Sequence, residues 1–265
     1  MDTCSNIIDF ENLNVSYDEK LVLKDINLKI KQGEHWAILG ANGSGKSTLL
    51  KVIQSELHPR RVEGLKKEIL GEERYSIFDL KKRIGIITND LHIYFQTKAP
   101  YLSGYEVILS GFYATIGVFQ HQDFTPKEHQ KVQEVLEILN IEYLKNKRVD
   151  SMSTGELRKC IVARALIHNP KAFILDEPTV GLDIKAQIDF INMLRTLSQT
   201  STIILVTHHL EEIFQEISNV ALIADNTIYK QGLKQEILTD NNLSYTFKTD
   251  IKLGIKNNRY FIAEV

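Results

Sequence analysis

Apolar and polar positions change their period along the chain, and each change predicts an element. Val22, Ile26, Leu28 and Ile30 alternate with mostly polar neighbours, as in a half-exposed antiparallel strand, and Gln32-Gly33 turns it. Alternation then gives way to continuous apolar runs: His35-Trp36-Ala37-Ile38-Leu39, Ala172-Phe173-Ile174-Leu175, Thr202-Ile203-Ile204-Leu205-Val206 and Val220-Ala221-Leu222-Ile223-Ala224. Such runs predict strands buried on both faces, and the helical patterns between the later ones predict a parallel sheet covered by helices. A helix-rich insert is expected over residues 90–160. Within it, Thr125-Pro126-Lys127-Glu128 spells a capping box with proline at the first helical position. Val132, Val135, Leu136 and Leu139 follow at i, i+3, i+4 and i+7, one face of an amphipathic helix. Near the end, Phe247, Ile251, Leu253, Ile255, Tyr260 and Ile262 predict short strands around an Asn257-Asn258 turn.

The first buried run feeds directly into Gly40-Ala41-Asn42-Gly43-Ser44-Gly45-Lys46-Ser47, which matches G-x-x-x-x-G-K-[ST] at every defined position. Thr48-Leu49-Leu50-Lys51-Val52-Ile53 continues as a helix, so the motif stands in the strand–loop–helix context that it requires. The glycines let backbone N–H groups close around phosphate oxygens, Lys46 can reach the β- and γ-phosphates, and the Ser47 hydroxyl can ligate Mg²⁺. A glycine turn opening a helix would explain the glycines, but not a lysine and a serine at fixed offsets. The motif predicts nucleoside triphosphate binding.

Composition narrows the partners. Thirty-two Lys+Arg against 34 Asp+Glu leave a formal net charge of −2, without the basic excess of a general nucleic-acid binder. Cys4 and Cys160 are far apart and form no C-x-x-C spacing, which fits a reducing cytosol rather than a disulfide framework. The first residues lack the basic region of a signal peptide. Ala99 to Phe119 is apolar and aromatic with Glu106 as its single charge, but Gly104, Gly111 and Gly117 interrupt it. It reads as a subdomain core or a docking surface rather than a membrane span.

Two further stretches carry chemistry. The run Phe173-Ile174-Leu175 ends in Asp176-Glu177, two carboxylates at the end of a strand where parallel sheets place ligands. Asp176 would hold Mg²⁺ and Glu177 would polarise an attacking water as general base. Ser151-Met152-Ser153-Thr154-Gly155-Glu156 opens a helix through Leu157, Ile161 and Leu166. Ser153 and Glu156 can form a capping box, and the same helix start can also bind a γ-phosphate.

These motifs, in this order, resemble the ATP-binding subunit of an ATP-binding-cassette (ABC) system over nearly the whole chain. Gly40–Ser47 takes the place of the phosphate loop, and Met152-Ser153-Thr154-Gly155-Glu156 that of the family signature. Asp176-Glu177 stands for the second acidic motif, and Gly181-Leu182-Asp183 for the loop that follows it. His208 in Val206-Thr207-His208 stands for the switch histidine, with its neighbour His209 expected on the opposite face by period-two alternation. Tyr17 stands for the aromatic that stacks on adenine.

The resemblance implies a P-loop NTPase fold of the ABC-ATPase type, mostly parallel with an antiparallel β region and an inserted helical subdomain. The cassette would span 7–246, its ATPase core 7–89 and 161–246, its helical subdomain 90–160, and a C-terminal β extension 247–265. ATP and Mg²⁺ would be held by Tyr17, Gly40 to Thr48 and Asp176, with Glu177 and His208 acting on the γ-phosphate. Two copies would pair head to tail, so that Ser153, Thr154, Gly155 and Glu156 complete the partner's site. The pair would drive a separate integral membrane permease from the inner face of the cell membrane. A soluble ATP-dependent switch with no permease is the alternative.

Two departures qualify the likeness. The signature usually reads Leu-Ser-Gly-Gly-Gln; here Met152, Thr154 and Glu156 differ, while Ser153 and Gly155 are kept. The family generally has a glutamine after the strand resembling Arg83-Ile84-Gly85-Ile86-Ile87, as Mg²⁺ contact and relay to the membrane partner. Thr88-Asn89-Asp90 stands there, and Asn89 offers the same amide on a shorter arm. Ile84 to Ile87 with Asp90-Leu91-His92, Leu109-Ser110-Gly111-Phe112 and Ile116-Gly117-Val118-Phe119-Gln120 is similar to bacterial ATPases associated with molybdenum transport.

Overall fold

The computed structural model describes residues 5–119 and 121–264, so Cys4 and Gln120 lie outside them. The strands are β1 (Asn6–Tyr17), β2 (Lys20–Lys31), β3 (Trp36–Gly40), β4 (Lys66–Ile69), β5 (Ile84–Ile87), β6 (Ala172–Asp176), β7 (Thr202–Thr207), β8 (Asn219–Ala224), β9 (Thr227–Leu233), β10 (Lys252–Lys256) and β11 (Arg259–Glu264). The helices are α1 (Lys46–Ile53), α2 (Ile77–Arg83), α3 (Asn89–Lys98), α4 (Gly104–Leu109), α5 (Pro126–Ile138), α6 (Thr154–Leu166), α7 (Ile184–Ser198), α8 (Lys234–Ile237) and α9 (Asp240–Phe247). They fall into two compact units, Met1–Ile77 with Ser198–Val265, and Phe78–Leu197.

In the first unit β3 pairs in parallel with β7 on one side and β8 on the other. All five residues of β3 and all six of β7 are buried, the environment that their unbroken apolar runs require. β9 adds to β8 antiparallel. A separate antiparallel sheet runs in the order β2-β1-β4. The alternation read in β2 holds there, with Ile26, Leu28 and Ile30 buried and Lys29 and Lys31 exposed. Its partner β1 slips register several times, and Asn12 sits at φ 50°, the mark of bulges in a long twisted ribbon. β10 and β11 form a hairpin. Its turn residues Asn257 and Asn258 both have positive φ, 51° and 59°, as a type I′ turn demands.

The second unit holds the parallel pair β5–β6 and helices α3 to α6 with most of α7. β5 packs tightly on its neighbours there: a Cβ on Gly85 would lie 2.7 Å from the Phe173 ring and 3.0 Å from Ala165 of α6. Two of the three glycines of the aromatic stretch serve close packing too. A Cβ on Gly104 would lie 2.3 Å from the Leu144 carbonyl oxygen, and one on Gly111 2.5 Å from that of Arg164. Among the described residues no helix is long and apolar enough to cross a membrane. α5 begins with the expected capping box, Thr125 Oγ1 accepting from Glu128 N at 3.3 Å and Glu128 Oε2 from Thr125 N at 2.8 Å.

Candidate nucleotide site

The glycine loop runs from the end of β3 into α1. Gly40 is required there, because a Cβ would meet Ser44 Oγ at 2.5 Å and the Ile223 carbonyl at 2.6 Å. Gly45 is the N-cap of α1 at φ 108°, and a Cβ on it would press to 2.6 Å from Leu23 of β2. α1, like the four-residue α8, has no side-chain cap. α3, α4, α5, α6 and α9 all start with a Ser or Thr hydroxyl accepting from a first-turn N–H, whereas α1 has neither such a cap nor an acidic residue in its first turn. A helix start without a side-chain cap offers first-turn N–H groups and a positive dipole end to an outside anion. Lys46, 6% exposed, folds back over the loop and donates to Gly40 O at 2.7 Å and Ala41 O at 3.1 Å. Asn42, Gly43 and Ser47 are exposed, Thr48 is buried, and Ser44 Oγ is buried without a hydrogen-bond partner. These residues fit a polyphosphate: backbone and lysine donors gather on one loop. Tyr17 lies in the same unit at the end of β1, 42% exposed and paired with Lys20.

β7 ends at Thr207, and here the face expected for His209 is corrected. The His208 and His209 rings lie together, centroids 3.9 Å apart. Strand pleat no longer governs them, because His209 N donates to Thr207 Oγ1 at 2.9 Å and turns the backbone back on itself.

The second unit carries the acidic pair and the signature helix. Asp176 closes β6, and Glu177 follows at φ 46°, a left-handed conformation that costs a glutamate about 1–2 kcal/mol. Val180 N donates to Glu177 O at 3.3 Å, and Asp183 Oδ1 accepts from Ala186 N at 2.8 Å at the start of α7. Ser153 is the exposed N-cap of α6: its Oγ accepts from Glu156 N, and Glu156 Oε2 accepts from Ser153 N at 2.7 Å. Lys147 clamps the same carboxylate at 2.7 Å. Burial pushes the Glu156 carboxyl up, but the Lys147 and Ser153 hydrogen bonds outweigh it and hold it below the usual range. Thr154 is half-buried, and Gly155 is buried 3.3 Å (as a Cβ) from Ala186.

Sequence reasoning missed a residue that ties this unit together. Arg158, 4% exposed at the fifth position of α6, donates through Nη1 to the Pro178 carbonyl and through Nη2 to Asn89 Oδ1 at 2.7 Å. A helical reading does hold a signal for it: Ile161 and Val162, three and four positions on, are core residues, so Arg158 shares their buried face. His92, on α3, is 6% exposed with an unpartnered Nδ1, and desolvation and the Arg158 charge push it down to about 4 from 6.5.

That depression sets a pH dependence. The unfolded chain takes up the His92 proton first as pH falls, so the contribution is intact above about pH 6.5 and is lost on the way down to about 4. Denaturant titrations at pH 7.5 and 5.0 should show wild type losing about 2 kcal/mol more than His92→Leu. Equal losses in the two proteins would remove His92 from the account.

Residues 23–180 match the ABC transporter family. The chain is 33% identical over 266 residues to the ABC transporter ATP-binding protein YlmA of Bacillus subtilis, covering 97% of each. Its fold superposes on a chain of an ABC transporter solved in an inward-facing conformation, with TM-score 0.78, 25% identity and coverage of 97% and 96%. It also matches cbiO1 from Clostridium perfringens, part of the ABC transporter complex cbiONQ, with TM-score 0.76, 29% identity and coverage of 90% and 93%. Motif order, fold and similarity along the full chain agree: this chain belongs to the ABC transporter family, as one of its cassette ATPases.

Proposed function

We propose that this chain is the ATP-hydrolysing subunit of a membrane transport system, acting as a head-to-tail homodimer on a separate permease. The observation that carries the reading is the start of α1, where a glycine loop and Lys46 surround a helix end that no side chain caps. Gly40 to Thr48 bind the triphosphate, Tyr17 stacks on the base, and His208 senses the γ-phosphate. Ser153, Thr154, Gly155 and Glu156 serve the partner's nucleotide. Ser47 in the first unit and Asp176 in the second would each serve as a Mg²⁺ contact, and Asn89, whose amide oxygen accepts from Arg158, would be a further candidate. Among the described residues no three His, Cys, Asp or Glu side chains converge for a metal, which suits an ion completed by phosphate oxygens. When bound, Mg²⁺ neutralises charge on the phosphates.

The chain lies on the cytoplasmic face of the membrane. Its docking surface is the second unit's run of exposed apolar and aromatic residues along and just beyond α3, where Ile93 is 54%, Tyr94 48% and Tyr101 60% exposed. Affinity capture from native membranes should recover an integral membrane protein that stimulates ATP turnover, and Tyr101→Asp with Ile93→Asp should lose it. Recovery of soluble or ribosomal partners alone would overturn the transport reading in favour of a soluble switch.

A further inference from the structure

We propose that Arg158 is a positioning residue for Glu177, and that through Asn89 it makes the placement of Glu177 depend on the start of α3. The inference rests on the reading of Glu177 as general base and adds what holds it.

Glu177 adopts a left-handed backbone, φ 46°, that a non-glycine residue keeps only when its surroundings impose it. The next residue in the chain is Pro178, whose fixed φ limits how the segment can relax. Its carbonyl is gripped by Nη1 of Arg158. The other arm of the same guanidinium holds Asn89 Oδ1 at 2.7 Å. A planar fork with two fixed donor directions cannot serve both oxygens unless they keep their spacing. The group is 4% exposed, so water cannot readily replace either bond. Asn89 is the first residue of α3, and Arg158 is the fifth of the signature helix α6. One cation thus joins the segment after the acidic strand, the signature helix and the helix beside the exposed aromatic surface. A movement of α3 that withdraws Asn89 frees half of the fork, and the segment holding Glu177 loses part of its restraint.

A link of this kind affects the rate of the chemical step and spares nucleotide binding, which is done elsewhere. Arg158→Gln is expected to lower kcat at least about tenfold, with the KM for ATP and nucleotide affinity within about twofold of wild type. Arg158→Lys keeps the charge without the fork and should recover only part of the loss. Asn89→Ala should lower kcat in the wild-type background and add nothing in Arg158→Gln, the non-additivity of two groups acting as one. Thermal melts accompany each variant; if Arg158→Gln does not fold, Asn89→Ala measured alone and in Arg158→Lys decides the matter by the same criterion. Raised KM at unchanged kcat, or additive losses in the double variant, would overturn the proposal. Glu177→Gln is assayed in parallel. If that variant is inactive while the Arg158 variants turn over normally, this inference alone fails. If Glu177→Gln is fully active, the general-base reading fails and takes the inference with it.

Discussion

Glu177→Gln is expected to lower steady-state ATP turnover by about 10²–10⁴-fold, the range for losing a general base, while ATP binding persists. The substitution is nearly isosteric, so the left-handed backbone at φ 46° and the Arg158 grip on Pro178 remain. What disappears is the capacity to accept a proton from water. Binding depends on a different set of groups, the glycine loop, Lys46 and the uncapped start of α1, none of which the substitution touches. Filter binding with labelled ATP and a phosphate-release assay separate the two effects. A variant that releases phosphate at the wild-type rate would remove Glu177 from the chemistry.

Gly104→Ala should be the most damaging single methyl in the second unit. Alanine normally favours a helix by about 1 kcal/mol over glycine, so on propensity alone the change would stabilise α4. The new Cβ, however, would stand 2.3 Å from the Leu144 carbonyl oxygen and 3.2 Å from Cys160 Sγ. The first of these is backbone, held by its own turn, and cannot rotate away. Overpacking of this kind costs about 3 kcal/mol and outweighs the propensity gain. For a chain of this size that lowers the melting temperature by roughly 6–12 °C, measurable by scanning calorimetry. Tyr101→Ala, at a position 60% exposed, should stay within about 0.5 kcal/mol and serves as the control. A Gly104→Ala protein that melts with wild type would show that α4 can shift to accept the methyl.

Much of the fold was legible because its signals are local. The buried runs became β3, β6, β7 and β8, and the Ser153 and Thr125 capping boxes start α6 and α5 as read. β1 escaped because it lacks period two: as the central strand of its sheet it has Ile7, Ile8, Asp9 and Phe10 buried in succession, and its register shifts several times. The Thr88-Asn89-Asp90 segment was read as a strand exit, although Thr88 caps a helix, because α3 has no clear apolar stripe. His209 is misplaced by a strand rule extended two residues past the strand. The glycine loop was legible since its residues are contiguous. Arg158 was not, because its partners Asn89 and Pro178 are 69 and 20 residues away and only folding brings them together.

The backbone at Glu177 carries a consequence for any search through sequence space. At φ 46° glycine has no Cβ to object and asparagine objects less than glutamate does, so both would raise the melting temperature. A library selected for heat resistance alone should therefore drift away from glutamate here and yield sturdy, inert proteins. Selection for turnover would pull the other way. At this position the most durable version of the chain and the working one are different molecules.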